Sequence, residues 1–162
     1  MYGIIATWRM ALEGISKADS MLKNNESAAD SIEEAIKAVE DFEYYKSVGY
    51  GGLPNEEMEV ELDAAFMDGD TLEFGCVGGV KDFANPVSIA RSLMHYDANN
   101  FLVGQGAEKY ASRHGFERKT MLTDRAKIHY HNRTKEITNT ELKPYSGHDT
   151  VGMVCLDTAR HM

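Results

Sequence analysis

Apolar and polar residues follow two different periods along the first quarter of the chain. Residues 3–7 form a short apolar run, which predicts a buried β-strand. From Trp8 the apolar residues recur every three or four positions, with charged residues opposite, which predicts an amphipathic helix. Ser27 is a candidate N-cap for a second helix that reaches about residue 43, with Asp30 at the capping-box position. We expect the two helices to form an antiparallel pair on one face of a sheet.

The middle of the chain predicts a turn-rich loop, a β-hairpin and several short elements. Residues 47–54 hold three glycines in four positions, which is typical of a loop with tight turns. Residues 58–63 alternate as a half-buried strand does, 68–70 (Asp-Gly-Asp) is a hairpin signal, and 72–77 returns as the partner strand. Further predicted elements are a helix that Asn85 caps and Pro86 begins, a strand at 101–103, and a helix at 107–114 that Gly115 closes.

The last quarter of the chain changes character. Residues 117–148 are charged and polar with few large apolar side chains, which predicts an exposed linker or a mobile segment. Residues 151–156 are apolar again and strand-like. A buried strand behind a linker of this length needs sheet partners from an earlier part of the chain.

Composition narrows the classes of function. The chain has 162 residues, of which 43% are hydrophobic, and this is typical of one folded soluble domain. The formal net charge of −9 argues against nucleic acid, because phosphate binding needs clustered Lys and Arg. No apolar stretch approaches the roughly 20 residues of a membrane span, and the N-terminus lacks the features of a signal peptide. We therefore expect no nucleic-acid partner, no membrane partner and a cytoplasmic location.

The residue types that bind metals and cofactors form no convincing cluster in the sequence. Cys76 and Cys155 lie in apolar runs and are expected to be buried free thiols. His129 and His131 could share one face of a strand, but no carboxylate or Cys at a suitable spacing supports a metal site. The glycine loop is not followed by Lys-Ser or Lys-Thr, so we interpret it as structural rather than phosphate-binding. We expect no metal ion and no cofactor.

A family resemblance rests on one junction and on a series of weaker motifs before it. Residues 147–154 (Gly-His-Asp-Thr-Val-Gly-Met-Val) resemble the cleavage junction of the glycosylasparaginases. Matches to other segments of the family run in the same order over residues 2–156: Thr7-Trp8, the glycine loop 47–52 with Pro54-Asn55-Glu56, Leu62-Asp63-Ala64, Met67-Asp68-Gly69 and Leu102-Val103-Gly104. Each motif alone is weak, whereas the ordered series is specific. The chain therefore resembles the glycosylasparaginase family of N-terminal nucleophile hydrolases.

The resemblance implies a fold and a domain organisation. The family fold is an α+β architecture, an αββα sandwich, of which this chain would hold an incomplete part with the second half missing. The 162 residues would be a single incomplete domain. Its parts would be an α-chain body at 1–116, an exposed linker at 117–149 that ends at the cleavage junction, and the start of the β chain at 150–162. In the family a precursor cuts itself into α and β chains that stay together, which implies an oligomer of αβ units.

The chemistry implied for the junction centres on Thr150. A Thr hydroxyl needs a base, and an N-terminal Thr supplies its own, because its α-amine titrates near 7.7–8.0 in peptides. The hydroxyl of Thr150 would first attack the carbonyl of Asp149, forming an ester that water hydrolyses. By the resemblance, His148 and the Asp149 carboxylate would assist this autoprocessing. The plain alternative is that Thr150 is only a β-forming residue at the start of a strand.

The substrate implied by the resemblance is a small-molecule asparagine derivative. The processed Thr150 would hydrolyse the side-chain amide of asparagine linked to N-acetylglucosamine, and Trp8 resembles a tryptophan of the family's substrate pocket. Trp8 is equally well explained as a core aromatic at the start of a helix. The other family residues that bind the substrate and the oxyanion lie downstream of residue 162, so we expect this chain alone to be inactive. The alternatives are an isoaspartyl peptidase or L-asparaginase of the same fold, and a catalytically dead scaffold subunit.

Overall fold

A computed structural model describes residues 1–139 and 150–162 of the chain, with side chains described for 1–135 and 150–162. Within these ranges the chain forms five helices and five strands. In chain order they are β1 (Gly3–Ala6), α1 (Leu12–Lys23), α2 (Ala28–Glu40), β2 (Glu61–Met67), β3 (Phe74–Lys81), α3 (Pro86–Leu93), β4 (Phe101–Val103), α4 (Gly104–Arg113), α5 (Asp124–Asn139) and β5 (Met153–Leu156). A single 3₁₀ turn, Arg9–Ala11, precedes α1.

The strands form two separate sheets. In the first, β1 pairs antiparallel with β5, in a register that places Ala6 opposite Met153. In the second, β2 and β3 form an antiparallel hairpin, and β3 pairs parallel with β4. Helix α3 connects β3 to β4, as a parallel connection requires. The first sheet therefore joins the two ends of the chain, and the second is built from its middle.

Each sheet carries helices. Helices α1 and α2 pack together against the β1–β5 sheet, while α3 and α4 pack against the β2–β3–β4 sheet. The crossing of α1 and α2 is close, because a Cβ added at Gly14 would lie only 2.4 Å from the carbonyl oxygen of Ala35. The architecture confirms the α+β class, and it contains two sheets and five helices within the described residues.

The apolar core lies mainly between the second sheet and its helices. Phe83, Ile89 and Leu93 are fully buried there, and Ile36 of α2 joins the same cluster. A smaller cluster under the first sheet contains Leu22 of α1 together with Cys155 of β5. Because α2 contributes to both clusters, this helix connects the two halves of the structure.

Both ends of α2 are held by buried carboxylates. At the N-terminus, Ser27 is the N-cap and its hydroxyl accepts a hydrogen bond from the backbone N–H of Asp30, as the sequence predicted. The Asp157 carboxylate, just after β5, also accepts from the N–H of Ala28. Burial opposes ionisation of Asp157, but backbone N–H groups, including that of His161, outweigh it and hold its pKa below the usual value. This contact ties β5 to the start of α2.

At the other end of α2, Glu40 connects three elements. Its carboxylate accepts hydrogen bonds from the backbone N–H of Val87 at 3.3 Å and from the side-chain amide of Asn85 at 3.4 Å. Its carbonyl oxygen accepts from the N–H of Tyr50 at 2.7 Å. Gly49 adopts a positive φ of 61° against this backbone, where a Cβ would lie 2.0 Å from the Glu40 oxygen. Glu40 therefore joins α2, the glycine loop and the N-terminus of α3.

The predicted cap of α3 is only partly right. Asn85 is the N-cap and Pro86 begins the helix, but the Asn85 side chain makes no capping hydrogen bond. Its amide instead donates to Asp41 and Glu40, and Glu40 caps the helix at Val87. The residue that satisfies the helix N-terminus thus comes from 47 positions earlier in the chain.

Strand β2 begins later than the alternation of residues predicted. The predicted strand at 58–63 overlaps β2 at only three residues, because the side chain of Asn55 captures the backbone N–H groups of Glu57 and Glu59. That local turn, with Met58 at a φ of 62°, competes with strand pairing. The hairpin signal at 68–70 is confirmed, since the Asp68 carboxylate accepts from two N–H groups within the turn.

Part of the predicted linker at 117–149 forms a helix, which the sequence analysis did not predict. Helix α5 occupies Asp124–Asn139, and Met121 is 1% exposed in a small core with Val60 and Leu62. Most of α5 is solvent-exposed, as expected, and only Ala126 of the helix is buried among its described side chains. A single buried position among the described side chains of α5 explains why hydrophobic periodicity gave no signal.

No helix in the described ranges is both long enough and apolar enough to cross a bilayer.

We predict that Glu40 makes the stability of the protein fall as the pH rises from 5 to 8. Burial raises the pKa of Glu40 to about 7 from 4.5, so the native state holds a proton that the unfolded state has released. This contribution is present below the unfolded pKa and is lost as the pH rises through 7. The difference in unfolding free energy between the wild type and Glu40→Gln should fall by about 3 kcal/mol over this range.

Urea unfolding at pH 5 and pH 8 measures this difference. Glu34→Gln is the matched control on the same helix, because hydrogen bonds with Lys17 and Lys37 lower the pKa of Glu34. Its effect on stability should stay constant between pH 5 and 8 and decline only in more acidic solution. A Glu40→Gln effect that is equally constant would contradict the buried, protonated state of Glu40.

Candidate active site

Thr150 lines a large concave surface formed by the described residues. The cavity has a volume of about 1300 Å³ and lies between β2 and the segment that leads into β5, with α2 and the glycine loop at its side. Thr150 itself is exposed, and it precedes β5 by three residues. The nucleophile predicted from the sequence is therefore accessible from solvent and faces a pocket large enough for a small molecule.

Thr7, the residue before Trp8, holds the segment that carries Thr150 through hydrogen bonds. The backbone N–H of Thr7 donates to the carbonyl oxygen of Gly152 at 2.8 Å, which extends the β1–β5 pairing by one residue. The Thr7 hydroxyl accepts from the N–H of Gly152 at 2.8 Å. It also lies 3.3 Å from the Gly152 carbonyl oxygen and 3.5 Å from that of Thr150, so it can donate its proton to either.

Trp8 has a strained backbone directly beside this contact. Its φ of 64° and ψ of 153° fall in a region that is essentially restricted to glycine. The residue is not part of α1, which begins at Leu12, although the sequence predicted a helix from Trp8 onward. Its side chain is 45% exposed, so the interpretation as a core aromatic is wrong. Strain of this kind concentrates at functional sites, and here it lies one residue from Thr7.

The other two residues of the predicted junction, His148 and Asp149, lie outside the described residues. The geometry of the Asp149–Thr150 bond is therefore not part of the site as described. Of the residues named from the sequence, Thr150 lines the cavity and precedes β5, whereas Trp8 follows β1 by two residues and is not among the residues that line the cavity. The described contact of the Thr150 main chain is with Thr7, the neighbour of Trp8.

The cavity is acidic. Its described lining contains no Lys or Arg, and its titratable groups are His161 and six carboxyl groups: Glu40, Glu61, Asp63, Asp68, Asp70 and Asp157. Of these carboxyl groups, Glu40 is the one whose pKa burial raises to about 7. Hydrogen bonding to Asp70, at 2.7 Å, raises the pKa of His161 above its usual value. The carboxylate of Asp63 accepts from the N–H of Gly79 at 2.7 Å, which fixes it beside the bulge in β2. A ligand that carries an amine is favoured at this surface over one that is only anionic.

The described residues offer no cluster of three or more His, Cys, Asp or Glu side chains that could bind a metal ion. His129 and His131 lie in α5, where residues two positions apart point in different directions, so they do not share a face. Cys155 is buried and Cys76 is partly buried, and both are free thiols. Burial raises the pKa of both thiols, which keeps them protonated and unreactive at neutral pH.

Sequence reasoning missed the roles of Thr7 and Glu40 in this region. Glu40 follows Ile36 by four positions, so it extends the apolar stripe of α2. A charged residue on such a stripe is a signal for a buried, hydrogen-bonded carboxylate. Thr7 gave no comparable signal, because a Thr at a strand end is common and its partner lies 145 residues away.

Comparisons with known proteins agree on one family. The family model for asparaginases matches residues 6–162 of the chain. The chain is similar to an N(4)-(beta-N-acetylglucosaminyl)-L-asparaginase of Elizabethkingia miricola, with 32% identity over 95% of this chain and 45% of the relative. It is also similar to an isoaspartyl peptidase/L-asparaginase of Rattus norvegicus, with 36% identity over 90% of this chain and 45% of the relative.

A third similarity is to a plant-type L-asparaginase of Thermococcus kodakarensis, with 36% identity over 75% of this chain and 35% of the relative. The chain thus spans less than half the length of these curated relatives.

We predict that Trp8→Gly is more stable than Trp8→Ala by about 1–3 kcal/mol, because glycine adopts the observed backbone angles without strain. Both variants lose the indole ring, so the comparison isolates the backbone. Ser20, an exposed residue inside α1, provides the control pair. There Ala should be more stable than Gly by about 1 kcal/mol. Urea unfolding measures all four variants, and an Ala preference at both positions would contradict the strain at Trp8.

Proposed function

This chain belongs to the asparaginase family whose model matches residues 6–162, and we propose that it is part of an amidohydrolase that uses Thr150 as its nucleophile. The observation that carries this proposal is the position of Thr150. It is exposed, it lines the 1300 Å³ cavity, and its segment is held by Thr7. If Thr150 were only a β-forming residue, neither its place in the cavity lining nor the contact of the Thr7 hydroxyl with its segment would be required.

We propose that Thr150 becomes an N-terminal residue by cleavage of the Asp149–Thr150 bond. The Thr150 hydroxyl attacks the carbonyl carbon of Asp149, and the acyl group moves from nitrogen to oxygen. Water then hydrolyses the ester, which releases the Asp149 carboxylate and a free α-amine on Thr150. His148 and the Asp149 side chain are the groups nearest in sequence that can move protons in this step.

After cleavage, the free α-amine of Thr150 is the general base for its own hydroxyl. The hydroxyl attacks the carbonyl carbon of the substrate's side-chain amide, and its proton passes to the amine. The amine returns the proton to the leaving nitrogen as the carbon–nitrogen bond breaks. Water then hydrolyses the resulting aspartyl ester, so aspartate leaves and Thr150 is regenerated.

The proposed substrate is an asparagine whose side-chain nitrogen carries N-acetylglucosamine. The family resemblance implies a contact of Trp8 with this substrate, although Trp8 is not among the residues that line the described cavity. The Elizabethkingia relative, whose name describes this activity, matches 95% of the chain. The carboxylates of the cavity suit the substrate's α-ammonium group. A cation for its α-carboxylate is expected from residues outside the described ones, because the described lining has no Lys or Arg.

The second candidate is an isoaspartyl peptidase or L-asparaginase that uses the same nucleophile. The observation that favours it is the 36% identity to the rat enzyme of that name over 90% of the chain, which exceeds the identity to the glycosylasparaginase. The two candidates share Thr150 as the nucleophile. Their substrates differ in the group carried by the nitrogen that is bonded to the side-chain carbonyl: a sugar, hydrogen atoms or the next residue of a β-aspartyl peptide. Rates on glycosyl-asparagine, asparagine and a β-aspartyl dipeptide rank them.

For the whole protein we propose the αββα sandwich of N-terminal nucleophile hydrolases, in which α and β chains from one precursor remain together in an oligomer of αβ units. The two sheets with helices packed against them are consistent with part of this fold. The reaction needs no cofactor, because an amine and a hydroxyl on the same residue supply the base and the nucleophile.

We predict that Thr150→Ala, made in the complete reading frame, abolishes both chain cleavage and aspartate release, with activity at least roughly 1000-fold lower. Thr150→Ser retains a hydroxyl and should still cleave and hydrolyse. Thr158→Ala is the matched control, because Thr158 is exposed beyond the other end of β5 and its hydroxyl bonds only to Asn25 among the described contacts. Gel electrophoresis follows cleavage, and a coupled assay follows aspartate. A Thr150→Ala protein that releases aspartate at the wild-type rate would overturn the proposed function.

A further inference from the structure

We propose that Thr7 is the positioning residue for the Thr150 nucleophile. This inference rests on the proposed function, and it assigns to the hydroxyl of Thr7 the task of fixing the main chain that carries the reactive groups. The hydroxyl accepts from the N–H of Gly152 and lies within reach of the carbonyl oxygens of Thr150 and Gly152. It contacts the main chain of Thr150, and Thr7 is not among the residues that line the described cavity.

Regular strand pairing stops before it reaches Thr150. The register of β1 and β5 ends with Ala6 opposite Met153, and the N–H of Thr7 adds one further bond to Gly152. The Thr7 side chain contacts the main chain beyond that point, up to the carbonyl group of Thr150. The Thr7 hydroxyl is therefore the described contact between the end of the β1–β5 sheet and the main chain of Thr150.

Two groups hold the segment from different sides. Val151 is partly buried and packs against the large core cluster, which fixes the depth of the segment. Gly152 has no side chain, and a Cβ there would lie 3.8 Å from both the methyl and the hydroxyl of Thr7. The Thr7 side chain thus lies beside the Gly152 backbone, at ordinary van der Waals distance from a Cβ at this position. Because Thr is β-branched, its own χ1 angle is restricted, so the hydroxyl is held ready.

The orientation of Thr150 affects its two reactive groups together. Its α-amine and its hydroxyl are attached to the same Cα, and the adjoining carbonyl is the group that Thr7 reaches. A rotation of this segment therefore moves the base and the nucleophile relative to the scissile bond. Misplacement of about 1 Å can lower a rate by about 100-fold, while substrate binding by other residues is unaffected. Loss of the Thr7 hydroxyl should consequently reduce kcat and slow chain cleavage, with little change in KM.

The test compares Thr7→Val with Thr7→Ser in the complete reading frame. Valine keeps the branched shape and removes the hydroxyl, whereas serine keeps the hydroxyl. Thr158→Val is the matched control, since it removes a hydroxyl bond to Asn25 beyond the other end of β5. For Thr7→Val we expect kcat and the cleavage rate to fall about 10- to 100-fold, with KM within about twofold. Thr7→Ser should recover most of both rates, and Thr158→Val should match the wild type.

The melting temperature of Thr7→Val separates the proposed role from a purely structural one, which would lower stability together with the rates. Thr7 is exposed, so water can replace the lost hydroxyl. The proposed role therefore predicts that the melting temperature changes by less than about 4 °C. Wild-type rates in Thr7→Val, or a loss that Thr7→Ser does not recover, would overturn the role of Thr7 while leaving the proposed function intact. A wild-type protein that neither cleaves nor releases aspartate would overturn the proposed function, and the role of Thr7 with it.

Discussion

The antiparallel pairing of β1 with β5 is the constraint on which the described site depends. It joins residues 3–6 to residues 153–156, and the backbone and hydroxyl of Thr7 extend it to Gly152. Thr150 precedes the strand, so its position follows from this pairing. Trp8 follows Thr7 and carries the strained backbone. The pairing therefore brings Thr7, the neighbour of Trp8, into contact with the segment that carries Thr150.

Helix α2 connects the β1–β5 sheet to the rest of the molecule through the hydrogen bonds of two buried carboxyl groups. Asp157 holds the end of β5 to the start of α2, and Glu40 holds the end of α2 to the glycine loop and α3. A buried carboxylate is costly unless it is hydrogen-bonded, and both of these have backbone donors. The two contacts connect β5, α2 and α3, and both carboxyl groups lie in the lining of the cavity.

The elements that sequence patterns predicted correctly are those with local signals. The Ser27 cap, the hairpin at 68–70 and the start of α3 at Pro86 each depend on neighbours in the chain. The errors have physical causes of two kinds. Asn55 formed a local turn that competes with β2, and α5 buries too few residues to produce periodicity.

The candidate site was predictable only in part, for the same reason. Thr150 and Trp8 could be named because a family resemblance identified them, and they lie three residues before β5 and two residues after β1. The contact of Thr7 with Gly152 and the cap that Glu40 provides for α3 join residues 145 and 47 positions apart. No local pattern encodes such contacts, since they exist only after the sheets and helices have packed.

The most direct test of the account is N-terminal sequencing, with intact mass, of the protein purified from its natural source. The account predicts two chains, one ending at Asp149 and one whose sequence begins Thr-Val-Gly-Met-Val at Thr150. A protein that hydrolyses asparagine derivatives while its Asp149–Thr150 bond remains uncut would contradict the central claim, because Thr150 would then have no free amine to act as its base.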